Sequence, residues 1–225
     1  MRGFKYVSFA VGLAVLAAAS AQASVVELTI DGIYGSAEST GATADVTLTF
    51  SEDGSDDLMT VEMENTTPNA IGSSLTAVGF ELPDSLSLTP TFATGGTSTY
   101  FDKLTYDDGV SPGSLDATGG YDLMITSDGN FEGGNPNGAP TEGQSQTVIL
   151  NLGDTGLAPT DLATIFEDYY EGLTTNYVIA RFQAVGPGSD RSDKVVGHVP
   201  EPASLALLTL GGLGLLRRRG IPANR

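Results

Sequence analysis

The sequence predicts an all-β, mainly antiparallel domain, a β-sandwich or jelly-roll-like fold with one short late helix. Three observations support this fold class. Apolar and polar residues alternate in many short segments, turn residues separate these segments, and only one stretch has helical periodicity. The chain between its two terminal segments is long enough for one domain with a sizeable core.

Residues 1–23 have the organisation of a secretory signal peptide. A short basic region precedes an apolar run, and Ala21 and Ala23 then form a small-x-small cleavage site. We expect signal peptidase to cut before Ser24, so that the chain is exported. The absence of cysteine excludes a lipoprotein anchor at this site and a disulfide framework in the domain.

Eight segments are predicted as strands because they alternate or are rich in β-forming residues. They are 25–30, 43–50, 58–65, 75–82, 85–92, 121–126, 146–152 and 177–185. The polar, glycine-containing stretch 51–57 predicts that the second and third segments form a hairpin. Residues 101–120 and 127–144 are predicted as long loops.

The predicted helix covers residues 159–171. Leu162, Ile165, Phe166 and Tyr169 are spaced at i, i+3, i+4 and i+7, which places them on one face. Because this helix stands between two late strands, we expect it to cover one open end or face of the sandwich.

Charge separates the domain from its terminal segments. The chain has 28 acidic and 10 basic side chains. All the acidic ones except Glu201 lie between residues 24 and 200, and most of the basic ones lie outside that range. So acidic a domain is unsuited to nucleic acid, whose phosphates need Lys and Arg, and to anionic lipid. Its charge fits solubility, attraction of divalent cations or a salty medium.

The spacing of Asp53, Ser55, Asp57 and Glu64 matches positions 1, 3, 5 and 12 of a calcium-binding loop. Position 6 is Leu58, where such a loop needs glycine, so a solvated hairpin is favoured.

Calcium bound by loop carboxylates in another geometry stays open. The candidate ligands are Asp53, Asp56 and Asp57, and the same chemistry applies to Asp190 and Asp193. No other cofactor is expected.

We predict that the protein is not an enzyme. Residues 109–113 match G-x-S-x-G, but no helix follows them and Pro112 lacks the amide that an oxyanion hole needs. The single histidine, His198, adjoins the C-terminal segment and is a poor candidate for a catalytic base. The many acidic residues identify no particular glycosidase pair.

Several aromatic side chains are candidates for a sugar-stacking face: Tyr100, Phe101, Tyr169, Tyr170 and Tyr177. Packing in the core or in hairpins is the more frequent role of such residues. An extracellular carbohydrate-binding module, with or without calcium, is therefore the alternative function, and a glycan-acting enzyme is a more distant one.

The C-terminal segment has three parts in a fixed order. Val199, Pro200, Glu201 and Pro202 form a VPEP motif, whose prolines exclude it from a sheet or a helix interior, so we expect an extended, protease-accessible stalk. Residues 203–216 carry no charge and predict an apolar helix of about 21 Å, shorter than the hydrocarbon core of about 30 Å. The basic cluster that ends the segment is Arg217, Arg218 and Arg219, which is typical of a cytoplasmic flank.

These three parts together resemble the PEP-CTERM sorting signal. The resemblance implies a sorting segment over 198–225 behind a domain over 24–197, processing by exosortase, and transient anchoring in the inner membrane through 203–216. It also implies a host that makes extracellular polysaccharide. The middle of the chain is similar to the β-rich domains common in that family. We therefore expect a non-enzymatic protein of the cell surface or extracellular matrix, associated with polysaccharide or biofilm.

Overall fold

The computed structural model describes residues 24–106, 121–127, 135–172 and 178–200. Within these ranges the chain forms two antiparallel sheets and one helix, so the predicted fold class is confirmed. The strands, in chain order, are β1 (Ser24–Ile30), β2 (Ala44–Asp53), β3 (Asp56–Asn65), β4 (Ser74–Phe80), β5 (Thr91–Phe92), β6 (Lys103–Tyr106), β7 (Leu123–Thr126), β8 (Ser145–Gly153), β9 (Val178–Val185) and β10 (Arg191–Val196). The helix α1 (Pro159–Gly172) follows β8.

The first sheet has the strand order β1-β2-β3-β8-β5, and the second has the order β10-β9-β4-β7-β6. The β2–β3 hairpin shows how the sequence makes the core. Val46, Leu48 and Phe50 are buried on β2 and lie opposite Met63, Val61 and Met59 on β3 in the register. The intervening residues carry polar groups on the other face. Alternation along the chain therefore supplies one buried face per strand, as predicted.

The helix connects the two sheets and packs on β1 and β2. The ring of Phe166 lies 4.9 Å from that of Phe50 on β2, and the hydroxyl of Tyr170 donates to the carbonyl of Glu81 just beyond β4 at 2.8 Å. Leu162 and Phe166 are fully buried. The helix was predicted to cover the sandwich at this point in the chain, and it does.

Four segments differ from the sequence prediction. Residues 85–92 were predicted as a strand, but only Thr91–Phe92 is one. The reason is that Pro83 and Pro90 remove amide donors, and the segment turns instead, with the Leu86 amide bonded to the Pro83 carbonyl.

The strands β6 and β10 were missed, because both carry mostly polar residues at positions that alternation does not mark. The hairpin loop predicted over 51–57 is only a two-residue turn, formed by Gly54 and Ser55, with φ of 70° at Gly54.

Candidate functional site at the exit of the C-terminal tail

The two sheets meet at one corner, formed by β1 with its continuation (residues 31–37) and by β10 with its continuation to His198. We call this the β1–β10 corner. The His198 carbonyl accepts from the Thr29 amide at 2.8 Å, and the His198 amide donates to the Thr29 carbonyl at 2.7 Å. Val199 packs against the core, and Pro200 is the last described residue. The chain therefore stays bound to the domain as far as the first residue of the VPEP motif.

Glycine at position 197 allows this crossing between sheets. Its amide donates to the Val178 carbonyl at 2.9 Å, so the residue is wedged between β9 and β1. A Cβ atom there would lie 2.5 Å from the Thr29 carbonyl oxygen and 2.6 Å from Ile30 Cγ1. Such separations are far inside van der Waals contact. Only glycine lets the chain leave the second sheet at this point.

A four-residue turn in the continuation of β1 is hydrogen-bonded to the end of β10. The Gly35 amide closes the turn on the Gly32 carbonyl at 3.1 Å. The two ends then bond to a single residue of β10, because the Gly32 amide donates to the Val196 carbonyl at 3.3 Å and the Val196 amide donates to the Gly35 carbonyl at 2.9 Å. Gly32 has φ of 76°, which suits glycine. Ile33 and Tyr34 occupy the tip.

His198 lies against this turn. Its Nε2 atom is 3.5 Å from Asp31 Oδ2, and its ring meets that of Tyr34 edge-on with centroids 5.3 Å apart. Its contacts hold the start of the tail against the β1 continuation.

Asp193 is the polar centre of the corner. Its side chain is buried and accepts hydrogen bonds from the hydroxyls of Ser36 and Thr40 at 2.7 Å each and from the amides of Glu38 and Thr40 at 2.9 and 3.0 Å. Its own neighbour, the Lys194 amide, donates at 2.8 Å. Burial opposes ionisation, but the hydrogen bonds outweigh it and hold the pKa of Asp193 below its ordinary value.

A second set of polar groups surrounds Glu81, beside the helix. The Tyr169 hydroxyl donates to Glu81 Oε2 at 3.1 Å. Burial raises the pKa of Glu81, the bond from Tyr169 lowers it, and the nearby charges of Asp122 and Asp84 raise it, so that the net shift is upward. Burial and the Glu81 charge also raise the pKa of Tyr169.

The aspartates of the β2–β3 hairpin that were predicted as calcium ligands do not all lie on one face. Asp53 and Asp56 lie opposite each other at the tip, whereas Asp57 is buried on the other face of the strand. Asp56 accepts from the Asn151 side chain at 2.8 Å, and Asp57 accepts from the Thr155 amide and hydroxyl at 2.9 and 2.6 Å. Among the described residues no three His, Cys, Asp or Glu side chains form a metal-binding group. Calcium at these residues stays a prediction.

The predicted aromatic residues do not form a common exposed face. Tyr100, Phe101 and Tyr170 are buried, and Tyr169 is tied to Glu81. The exposed tyrosines of the described residues are Tyr34 and Tyr106, which sequence reasoning did not single out.

Several predicted residues lie outside the described ranges: Ala21, Ala23, residues 109–113, Tyr177, Glu201, Pro202, the apolar segment 203–216 and the arginines 217–219. The division at residue 197 also stays a prediction. Two functional features were missed, the role of Gly197 and the Asp193 hydrogen bonds. The glycine between a strand and the VPEP motif was a usable signal for the first, but no local pattern marks the second.

Comparison with known protein families identifies one segment. Residues 198–219 match the family model of the PEP-CTERM protein-sorting motif. No curated protein and no solved structure has significant similarity to the chain. No helix within the described ranges has the length and apolar character to cross a bilayer. The matched motif marks an exported protein that is anchored in the membrane before exosortase processes it.

Proposed function

We propose that this exosortase-sorted exported protein is a non-enzymatic component of the cell surface or extracellular matrix, associated with extracellular polysaccharide. One observation carries the proposal. The two hydrogen bonds between Thr29 and His198 hold the chain at the first residue of the matched sorting segment, 198–219. Cleavage after Pro200 would therefore break neither of these bonds. We expect the domain to stay folded after its tail is removed.

The composition of the domain supports a structural role in a hydrated matrix. The formal net charge of the chain is −18, and its positive charges are concentrated in the terminal segments. Like charge keeps such domains soluble and apart and attracts divalent counter-ions. Three of the described carboxylates that leave the surface, Asp57, Asp193 and Asp122, accept hydrogen bonds from backbone amides. This use supports a structural role over a catalytic one.

The test is fractionation of the native host with mass spectrometry of the mature C-terminus, in strains with and without extracellular polysaccharide. We expect the mature chain to lack residues 203–225 and to be found in the polysaccharide fraction. Without polysaccharide it should be released into the medium. An intact Arg225 C-terminus, retained in the membrane, would contradict both the processing and the destination.

A second candidate function, glycan binding, has one observation in its favour. A cavity of about 330 Å³ lies between the second sheet and the 82–89 segment, lined by Tyr106, Asp84, Asp122 and Ser87. An aromatic ring beside carboxylates and hydroxyls is a common arrangement in sugar sites. Glycan-array binding that is lost in Tyr106→Ala and kept in Tyr34→Ala would favour this function over a purely structural one.

A further inference from the structure

The tip of the turn over residues 32–35 is apolar and exposed. Ile33 is 72% exposed and Tyr34 is 49% exposed. The large hydrophobic side chains exposed among the described residues are Val25, Ile33, Tyr34 and Tyr106, so two of them are adjacent on this turn. Single exposed apolar residues are ordinary on protein surfaces, but a turn tip usually carries polar ones. The location of this pair needs an explanation.

The tip is held rigidly. Both ends of the turn are bonded to Val196, and the Ile33 amide also donates to Asp31 Oδ1 at 3.0 Å. The two side chains therefore cannot fold back onto the core without breaking these bonds. A fixed apolar projection loses little conformational entropy when it enters an apolar environment.

The tip also lies next to the start of the tail. The Tyr34 ring contacts the His198 ring, two residues before Pro200. From Pro200 to Ala203, where the uncharged segment begins, three Cα–Cα steps span at most about 11 Å. His198 lies two further steps back, so in the anchored precursor the corner is within about 18 Å of the chain's entry into the membrane.

Because the apolar segment is short, the corner should lie even closer to the bilayer. A segment of about 21 Å in a hydrocarbon core of about 30 Å pulls its flanking residues toward the lipid. The headgroup layer is about 5 to 8 Å thick on each side. Tyrosine and aliphatic side chains are favoured in that layer.

We infer that Ile33 and Tyr34 form a lipid contact, through which the domain rests on the headgroup layer while its tail is anchored. The contact is with the neutral, interfacial part of the bilayer, because the acidic domain would be repelled by anionic headgroups. It fixes the orientation in which the VPEP motif faces the membrane. The inference rests on the proposed function only in requiring an anchored tail.

The chain contains no tryptophan, so one substitution supplies a single fluorescent probe. The variants are Ile33→Trp, Tyr34→Trp and the control Tyr106→Trp. Tyr106 is exposed to a similar degree, 43%, but lies on β6, at the opposite edge of the second sheet from β10. Each full chain is purified from membranes of a strain without exosortase and reconstituted into phosphatidylcholine vesicles containing shallow spin-labelled lipid. Equal melting temperatures establish that the variants are folded.

Flotation of the vesicles reports tail anchoring, and fluorescence quenching reports the contact. We expect all three variants to float, and the probes at 33 and 34 to lose about half of their emission, as side chains within 5–10 Å of the interface should. The probe at 106 should be unaffected. Flotation without quenching at 33 and 34 would overturn the lipid contact but leave the anchor intact. Failure to float would overturn both, and quenching only with exosortase in the same vesicles would assign the tip to the enzyme instead.

Discussion

The β1–β10 corner and the helix α1 are each fixed by a carboxylate, and the two carboxylates differ in their surroundings. At the corner, Asp193 is buried among five hydrogen-bond donors, which come from the β1–β2 connection and from β10 itself. Beside the helix, Glu81 accepts from one tyrosine and has Asp122 and Asp84 as charged neighbours. The surroundings of Asp193 stabilise its ionised form, whereas the surroundings of Glu81 destabilise its ionised form.

The difference shows where the fold depends on a charge. Removing a buried acceptor that is fully hydrogen-bonded leaves its donors without a partner. Removing a charge that lies among other negative charges relieves their repulsion. The corner from which the tail leaves should therefore be sensitive to changes at its carboxylate, and the helix should tolerate them.

The largest effect is expected for Asp193→Ala, which leaves the donors of Ser36, Glu38 and Thr40 without their acceptor. We expect unfolding to become easier by about 3 kcal/mol, and the melting temperature to fall by about 6 to 12 °C for a domain of this size. Thermal denaturation followed by circular dichroism measures it.

The matched control is Asp190→Ala, an exposed acid three residues earlier that removes the same charge. It should change the melting temperature by no more than about 1 to 2 °C. Equal losses in the two variants would contradict the special role given to Asp193.

The next largest effect is expected for Gly197→Ala, because the added methyl would meet the Thr29 carbonyl and Ile30. Forced overpacking of this kind costs about 1 to 3 kcal/mol. Gly54→Ala is the control, since the turn there leaves open space around a Cβ and only its positive φ is disfavoured. Hydrogen exchange at the Thr29 amide should rise in the first variant alone, and an unchanged rate would argue against the close crossing.

The two carboxylates should have opposite pH dependence. Because the folded-state pKa of Asp193 is lowered, its contribution to stability is present above the unfolded value of about 3.9 and is lost as pH falls through the folded pKa. Because the folded-state pKa of Glu81 is raised, its ionisation costs stability at neutral pH. That cost disappears as pH falls toward about 4.3. Melting temperatures of the wild type, Asp193→Asn and Glu81→Gln across pH 3 to 7 should show the first variant approaching the wild type at the acid end. A parallel offset at every pH would refute this assignment.

The smallest effect is expected for Glu81→Gln. The amide oxygen can still accept from Tyr169, and the charge facing Asp122 and Asp84 is removed, so stability should be unchanged or higher by up to about 1 kcal/mol. Glu62→Gln, at an exposed position of β3, controls for the loss of one negative charge. A clear destabilisation at Glu81 would remove the contrast between the two regions.

Local patterns predicted most of the fold. Alternation found β2, β3 and β8, and helical spacing found α1, because in these elements the burial of apolar side chains follows the period of the backbone. The same reasoning failed for β10, whose sequence RSDKVV is polar at first. Its Asp193 is buried because donors more than 150 residues away surround it, and no local pattern reports such a contact.

The candidate site was half predictable. The sorting motif is a local signal and was found from its residues, and a family model matches it. The corner that presents it depends on pairing between the first strand and the last, Thr29 with His198. The apolar tip at Ile33 and Tyr34 becomes notable only when that pairing places it beside the tail.

The β1–β10 corner holds the chain as far as Val199, and the sorting residues beyond it should be processed without any effect on the fold. The most direct test is Glu201→Ala in the native host, with fractionation of the precursor and melting of the purified domain. We expect precursor to accumulate in the membrane fraction while the melting temperature stays at the wild-type value, because Glu201 follows both the Thr29–His198 pair and the core contact of Val199 in the chain. Normal maturation of this variant would instead indicate that the tail is a plain membrane anchor.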